Sequence, residues 1–476
     1  MPKQENEKSE LLRAIPSVDQ LLRTPSASAL KDSLGAQAVT KLARAVTDEL
    51  RETLLAGASK KSSTNGDHSR EALLQEAARM LEHAFHQEAA RGLRRVINAS
   101  GVIIHTNLGR APLSEAASLA IAKEAARYCT LEYDTETGGR GRRGARVEKL
   151  LVDLTGAEGA LVVNNCAAAA LLVLTALAHG GETIVSRGEL IEIGGDFRVP
   201  DVMAQSGTRL IEVGTTNRTR LADYTQAITE NTRLLMRVHP SNYRIVGFTA
   251  APTLTDLARA AHEAGLLLYE DAGSGALVNL GQYGLGEEPV IAESIRSGAD
   301  IISFSGDKLL GSAQAGLIVG RLELVERLRK HPLYRALRAD KLALAALEAT
   351  LAAYQRETAF LEVPVLHMLA LSMEEVRKRA RRFISKLEKR SSAFRAEIIE
   401  GESAIGGGSA PNVHPATFLI ALTHESLSPD ALDKALRLGL PPVIARIADD
   451  QVLLDLRTVA ADEETSLLNS LISIAG

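Results

Sequence analysis

Seven short apolar runs punctuate the middle of this chain and alternate with stretches of helical character. They are Leu161–Asn164, Thr183–Ser186, Leu210–Val213, Leu234–Val238, Leu266–Tyr269, Ile301–Phe304 and Gly316–Gly320. A strand buried on both faces reads as a continuous apolar run, and strands separated by helix-length connections must be joined by crossovers rather than hairpins. The alternation therefore predicts an α/β fold on a seven-stranded, mostly parallel sheet.

Helical periodicity flanks this centre. Residues 1 to about 59 place Leu11, Leu12, Ile15, Val18, Leu21 and Leu22 at the spacing of one helix face. Positions 60–69 then read as a polar loop, and a further helix runs from about Arg70 to Arg91. After the last strand, helical character extends from about Leu322 to Lys389, interrupted near Pro364. Beyond it come the glycines of Gly406–Ser409, a strand from Thr417, and the runs Pro442–Ile447 and Gln451–Arg457. The expected organisation is a helical N-terminal domain over residues 1–85, a large α/β domain over 86–360 and a small C-terminal α/β domain over 361–476.

Composition narrows the function classes. The longest apolar run, Ala167–Ala178, falls well short of the roughly 20 residues a membrane helix needs, so no membrane association is expected. The N-terminal stretch mixes both charge signs and lacks the apolar centre of a secretory signal, which points to the cytoplasm. Two cysteines, Cys129 and Cys166, cannot build a disulfide framework or a cysteine-rich metal site, and no metal is expected. A net charge of −4 argues against wrapping nucleic acid over the whole surface, and no DNA partner is expected. Local basic patches remain, one at Arg140, Arg142, Arg143 and Arg146, the other on the helix carrying Arg377, Lys378, Arg379, Arg381 and Arg382. Such patches are more often solvated faces than binding sites.

Lys308 follows directly on a buried strand, amid small residues that let backbone and ligand approach closely. Desolvation there favours the neutral, nucleophilic amine that a Schiff base requires, although a lysine closing a strand is as readily a surface residue. Asp271 ends a second apolar strand. An aspartate so placed either caps a helix or pairs with the ring nitrogen of a pyridoxal cofactor. The interval from Asp271 to Lys308 resembles that of fold-type I pyridoxal-phosphate (PLP) enzymes, and Asn242 falls where that superfamily often places a partner for the ring hydroxyl. A phosphate needs N–H groups at a helix start, which the strand–turn–helix at Asn165, Cys166 and Ala167 offers, with Ser305 adding a hydroxyl from the opposite side.

Longer motifs make the resemblance specific. Val96–Arg110, Ser186–Asp201, Glu212–Thr219, Ser241–Thr249, Ser303–Gly311, His331–Lys341, Pro441–Ile447 and Leu453–Val459 resemble the bacterial selenocysteine synthases, the L-seryl-tRNA(Sec) selenium transferases. The likeness spans about Arg94 to Val459. Two departures stand out: Gly311–Gly316 has Ser312 and Ala313 where the family commonly has glycine and proline, and Cys166 replaces a third asparagine after Asn164 and Asn165.

The resemblance implies a fold-type I PLP enzyme that takes seryl-tRNA(Sec), eliminates the serine hydroxyl to give dehydroalanyl-tRNA, and adds selenium from selenophosphate. Lys308 is then both the Schiff-base lysine and the base at the α-carbon. Arg110 is a selenophosphate ligand by family likeness, joined by Arg335 and Arg338, which share a face if their segment is helical. Asp307 and the pair Thr215 and Thr216 are placed to hydrogen-bond the departing hydroxyl or the incoming donor, while His239 stays outside the catalytic set. The family further implies tRNA binding by the N-terminal domain and a homo-oligomer, a large ring of dimers. The competing expectation is a related fold-type I lyase acting on a free amino acid or amino-sugar acid.

Overall fold

The computed structural model describes residues 12–59, 69–90, 92–194 and 197–475. The chain divides into two compact units, Met1–Arg95 and Val96–Gly476.

In the first unit, helices α1 (Val18–Leu22), α2 (Pro25–Leu34), α3 (Ala36–Ser59) and α4 (Arg70–Ala90) pack together. Ser17 and Gln20 form a capping box on α1, and Thr24 caps α2 ahead of Pro25 in its first turn. These caps satisfy N–H groups that each helix start leaves open. Leu21, Leu30, Val46, Leu50, Leu73 and Leu81 form the centre of the core. Of the positions expected on one face, Leu21 is buried but Leu12 is exposed, because a short helix and turn replace one continuous helix there. Leu11 and most of the expected polar loop, positions 60–68, lie outside the described residues.

The second unit is built on a seven-stranded sheet: β1 (Gly159–Val163), β2 (Glu182–Ser186), β3 (Arg209–Val213), β4 (Thr232–Val238), β5 (Leu267–Gly273), β6 (Ile301–Ser305) and β7 (Gly316–Gly320). Each of the seven apolar runs supplies one strand. The order is β1-β7-β6-β5-β4-β2-β3, with β7 antiparallel to both neighbours and every other pair parallel. Successive residues feed two apolar layers on opposite faces: Leu268 and Ile302 on one side, Tyr269 and Ile301 on the other. Six strands thus end at one edge, where α/β sheets bind their ligands.

The expected long helical stretch after β7 is cut into six helices. Pro332 and Pro364 each occupy a first turn and start a helix, although an interruption is expected only at the second. A second sheet follows, antiparallel, of β8 (Phe394–Glu402), β9 (Ala416–His424), β10 (Arg446–Ala448) and β11 (Gln451–Asp455), in the order β8-β9-β11-β10. Helices Met373–Glu388, Pro429–Leu438 and Glu464–Ala475 bury Phe383, Leu436 and Leu467 in the core beside it. Among the described residues, no helix is long and apolar enough to cross a membrane.

Candidate active site

A cavity of about 380 Å³ opens at the carboxyl edge of the large sheet, between the ends of β1, β5 and β6. Lys308 and Asp271 both line it, at 5 % and 7 % exposure. The parallel pairing of β5 and β6 sets Asp271 opposite Ser303. Lys308 sits in the turn after β6, and its Nζ makes no hydrogen bond or ion pair among the described residues.

Asp271 is held on three sides. Its Oδ1 accepts from the Gly273 N–H at 3.1 Å, the Ser303 hydroxyl at 3.3 Å and the Cys166 thiol at 3.5 Å. Burial pushes its carboxyl above the ordinary value, against the opposing pull of these donors and of the Lys308 charge. Burial, together with the Asp271 charge, pushes the Cys166 thiol up as well, so it remains an S–H donor. Behind them the Tyr269 hydroxyl meets Ser303 Oγ at 2.7 Å. Nothing in the sequence marks Tyr269 and Ser303, which sit inside strands among their core residues.

Asn165, Cys166, Ala167 and Ser305 line the same cavity. Asn165 caps the helix Cys166–Ala178, its side-chain oxygen accepting from Ala168 N at 2.8 Å. The N–H groups of Cys166 and Ala167 keep no acceptor among the described residues, which leaves two open donors at a helix start. Gly316 permits this turn: a Cβ there would lie 2.1 Å from the Asn165 carbonyl oxygen. An unpaired buried amine, a buried carboxylate and open helix-start donors around one cavity are what pyridoxal phosphate requires, so the residues present fit it.

Arg110 and Asp307 line the same cavity, joined by a 2.6 Å ion pair. Thr106, Gln314, Gly407 and Gly408 also line it, none of them expected as a site residue from the sequence. The glycines carry a signal: Gly406, Gly407 and Gly408 have φ of 77°, 63° and 66°, and a Cβ on Gly407 would lie 2.4 Å from an Ile104 methyl. Glu288 anchors the same loop by accepting from Ala410 N at 2.7 Å and from the Ser274 hydroxyl. His239 lies behind, its Nε2 at 3.5 Å from Glu288, too long for a well-formed hydrogen bond.

Other expected residues are not gathered here. Asn242 is exposed, donates to the Glu192 carbonyl at 2.7 Å and stands beside Gly408 without lining the cavity. Arg335 and Arg338 belong to the segment Pro332–Leu337 and its C-cap; Asn164 N donates to the Leu337 carbonyl, which brings that segment against the turn after β1. Arg338 pairs with Glu132 at 3.2 Å, while Arg335 is exposed and makes no ion pair among the described residues. Thr215 and Thr216 are exposed beyond the edge strand β3, where Thr215 bonds the Arg218 carbonyl.

Residues 96–460 match the family model described as L-seryl-tRNA selenium transferase, and residues 12–51 match a model described as selenocysteine synthase N terminal. The chain is 47 % identical to the L-seryl-tRNA(Sec) selenium transferase of Moorella thermoacetica over 468 residues, covering 98 % of this chain and 97 % of that one. It is 44 % identical to the enzyme of that name from Clostridium perfringens (strain 13 / Type A) over 463 residues, covering 97 % and 98 %. Among solved structures, D-glucosaminate-6-phosphate ammonia-lyase aligns with a TM-score of 0.56 and 22 % identity, covering 82 % of this chain and 98 % of that one, a likeness of fold.

Proposed function

The chain belongs to the L-seryl-tRNA selenium transferase family, and from that premise we propose how its residues carry the reaction. It is a PLP-dependent selenocysteine synthase, converting L-seryl-tRNA(Sec) to selenocysteinyl-tRNA(Sec). The observation that carries the assignment of roles is the unpaired, buried amine of Lys308 sharing one cavity with the buried carboxylate of Asp271. A lyase acting on a free amino acid is not favoured, since the ammonia-lyase likeness is one of fold alone.

Pyridoxal phosphate, when bound, supplies an aldehyde for the serine amino group and a ring that draws off the electron pair released at the α-carbon. Lys308 Nζ holds the cofactor and then takes the α-proton. Asp271 would pair with the ring nitrogen and favour its protonated form, and the donors around its carboxylate fix its orientation. Cys166 N, Ala167 N and the Ser305 hydroxyl take the phosphate. Leu174, Val199 and Met236 form an apolar wall that keeps water from the reacting carbon. Arg110 spends one N–H on Asp307 and keeps others for an anion at the mouth, which suits selenophosphate as selenium donor. Arg335 and Arg338, proposed as further ligands of that anion, stand beside the Asn164 turn and do not line the cavity within one chain. Thr215 and Thr216 take no part within one chain.

Residues 1–85 bind the tRNA, residues 86–360 hold the cofactor and residues 361–476 contribute the glycine loop at the mouth, in a cytoplasmic homo-oligomer built as a ring of dimers. The test is incubation of the cofactor-loaded protein with seryl-tRNA(Sec) and selenophosphate. Selenocysteinyl-tRNA is the expected product; turnover of free serine or amino-sugar acids with the charged tRNA left intact would overturn the reading.

A further inference from the structure

The two basic segments that stand out in the sequence have opposite fates in the fold. Around Arg140, carboxylates neutralise the cations: Arg140 and Arg143 both pair with Glu132, at 2.9 and 2.7 Å, and Arg142 pairs with Glu148 and Glu326 at 2.9 and 3.0 Å. On the helix Met373–Glu388 the arrangement differs. Arg379 is committed to Glu464 at 2.8 Å, and Arg377 lies over the Phe418 ring at 4.9 Å, near Glu374. Glu375 is occupied in the capping box with Ser372. Lys378, Arg381, Arg382, Lys386 and Lys389 are exposed and have no ion pair or side-chain hydrogen bond among the described residues. Glu388 in the last turn offsets one of these charges and leaves a clear excess.

We propose that this face, Lys378 to Lys389, binds the sugar–phosphate backbone of the substrate RNA. The proposal rests on the tRNA-substrate reading above and deepens it by naming a second contact surface outside the N-terminal unit. Lys378, Arg382 and Lys386 recur every fourth residue, so at ~1.5 Å rise per residue they stand ~6 Å apart along one stripe, and the whole face spans ~17 Å. A nucleic-acid duplex presents about one phosphate charge per ~1.7 Å of its axis, so the stripe faces ample charge along that length. The opposite side of the helix is spent: Val376 is buried, and Ala380, Phe383 and Leu387 are buried in the C-terminal core. No apolar face is left to enter a lipid surface, which favours RNA over an anionic membrane. Contacts of this kind supply affinity and positioning and read no bases.

The experiment compares full-length, cofactor-loaded wild type with the triple variant Lys378→Gln/Arg382→Gln/Lys386→Gln, titrating an unacylated tRNA(Sec) transcript at several salt concentrations. Each phosphate contact adds about one to the slope of log affinity against log salt. The variant is expected to lose about two to three from that slope and to bind about tenfold or more weakly, with kcat at saturating seryl-tRNA unchanged. Restoring charge with Lys378→Arg/Arg382→Lys/Lys386→Arg recovers both, which mere loss of structure does not explain. Should the triple variant fail to fold, Lys378→Gln and Lys386→Gln singly each lower the slope by about one. An unchanged slope and affinity overturn the proposal while leaving the enzyme's assignment intact. Vesicles of one part phosphatidylserine to three of phosphatidylcholine provide the rival: binding lost in the variant, with tRNA binding unaltered, overturns it in favour of a membrane. Failure of the wild type to bind the transcript or convert seryl-tRNA sinks the functional reading itself.

Discussion

Lys308 and Asp271 are buried side by side at the edge of one sheet, whereas Arg335, Thr215 and Thr216 stand in solvent on segments that do not line the same cavity. The inner corner is rigid because strand pairing fixes it: Asp271 sits opposite Ser303, and Lys308 follows the same strand after one turn. The outer set hangs on short helices and loops. Chemistry at a carbon atom demands positions good to fractions of an ångström, which a packed sheet supplies, while capture of a mobile anion or a large RNA tolerates looser groups. The inner corner is therefore expected to behave as one unit and the outer set as separable contributions.

The severest test of this division is Lys308→Ala. One substitution removes both the proposed attachment point of the cofactor and the proposed base, so conversion of seryl-tRNA is expected to fall by at least the order of 10³-fold. The cofactor's visible absorbance is expected to vanish from the purified protein. Single-turnover assays and a spectrum check both; activity within tenfold of wild type would show that another amine does the work.

Asp271→Asn comes next. Loss of the carboxylate proposed to face the ring nitrogen is expected to cost on the order of 10²- to 10³-fold in turnover. Stability should move the other way in the cofactor-free protein. Burial raises the Asp271 pKa in the folded state above the ordinary 3.8. The folded chain thus favours the protonated acid, a stabilisation complete below the unfolded value and lost as pH rises through the higher folded value. Asparagine escapes that loss. Thermal melts of the two apoproteins should coincide at pH below about 3.8 and separate at neutral pH with the variant higher. A lower-melting variant at neutral pH would mean that the carboxylate is better paired than its burial implies.

How far the sequence alone reaches follows the same line. Six of the large-sheet strands were legible because a strand buried on both faces is a run of apolar residues, the partly exposed edge strand β3 by its Leu210 and Ile211, and Asp271 and Lys308 were legible because they lie at or just past the ends of two apolar runs. Asn165, Cys166, Ala167 and Ser305 were found for a related reason, as the polar or small ends of buried runs. Ser303 and Tyr269, which fix Asp271 from within the sheet, carried no local mark. Gly407 and Gly408 come from far along the chain, and only tertiary packing against Ile104 brings them to Lys308. Nor does the pattern of arginines reveal which are paired: Arg140 and Arg382 look alike in sequence, and the fold supplies Glu132 to the first and, among the described residues, no ion-pair partner to the second.

Arg335→Ala probes the outer set with the smallest expected effect. Arg335 is exposed and makes no ion pair among the described residues, so removing it leaves no buried partner stranded. Its contribution to holding an anion is weakened by solvent screening. The expected result is about a three- to tenfold rise in KM for selenophosphate, with an unchanged cofactor spectrum, an unchanged melting temperature and nearly unchanged kcat. If instead the cofactor band is lost, or kcat falls as far as it does for Asp271→Asn, Arg335 works inside the corner. A second copy of the chain would then have to complete that corner, since Arg335 does not line it within its own chain.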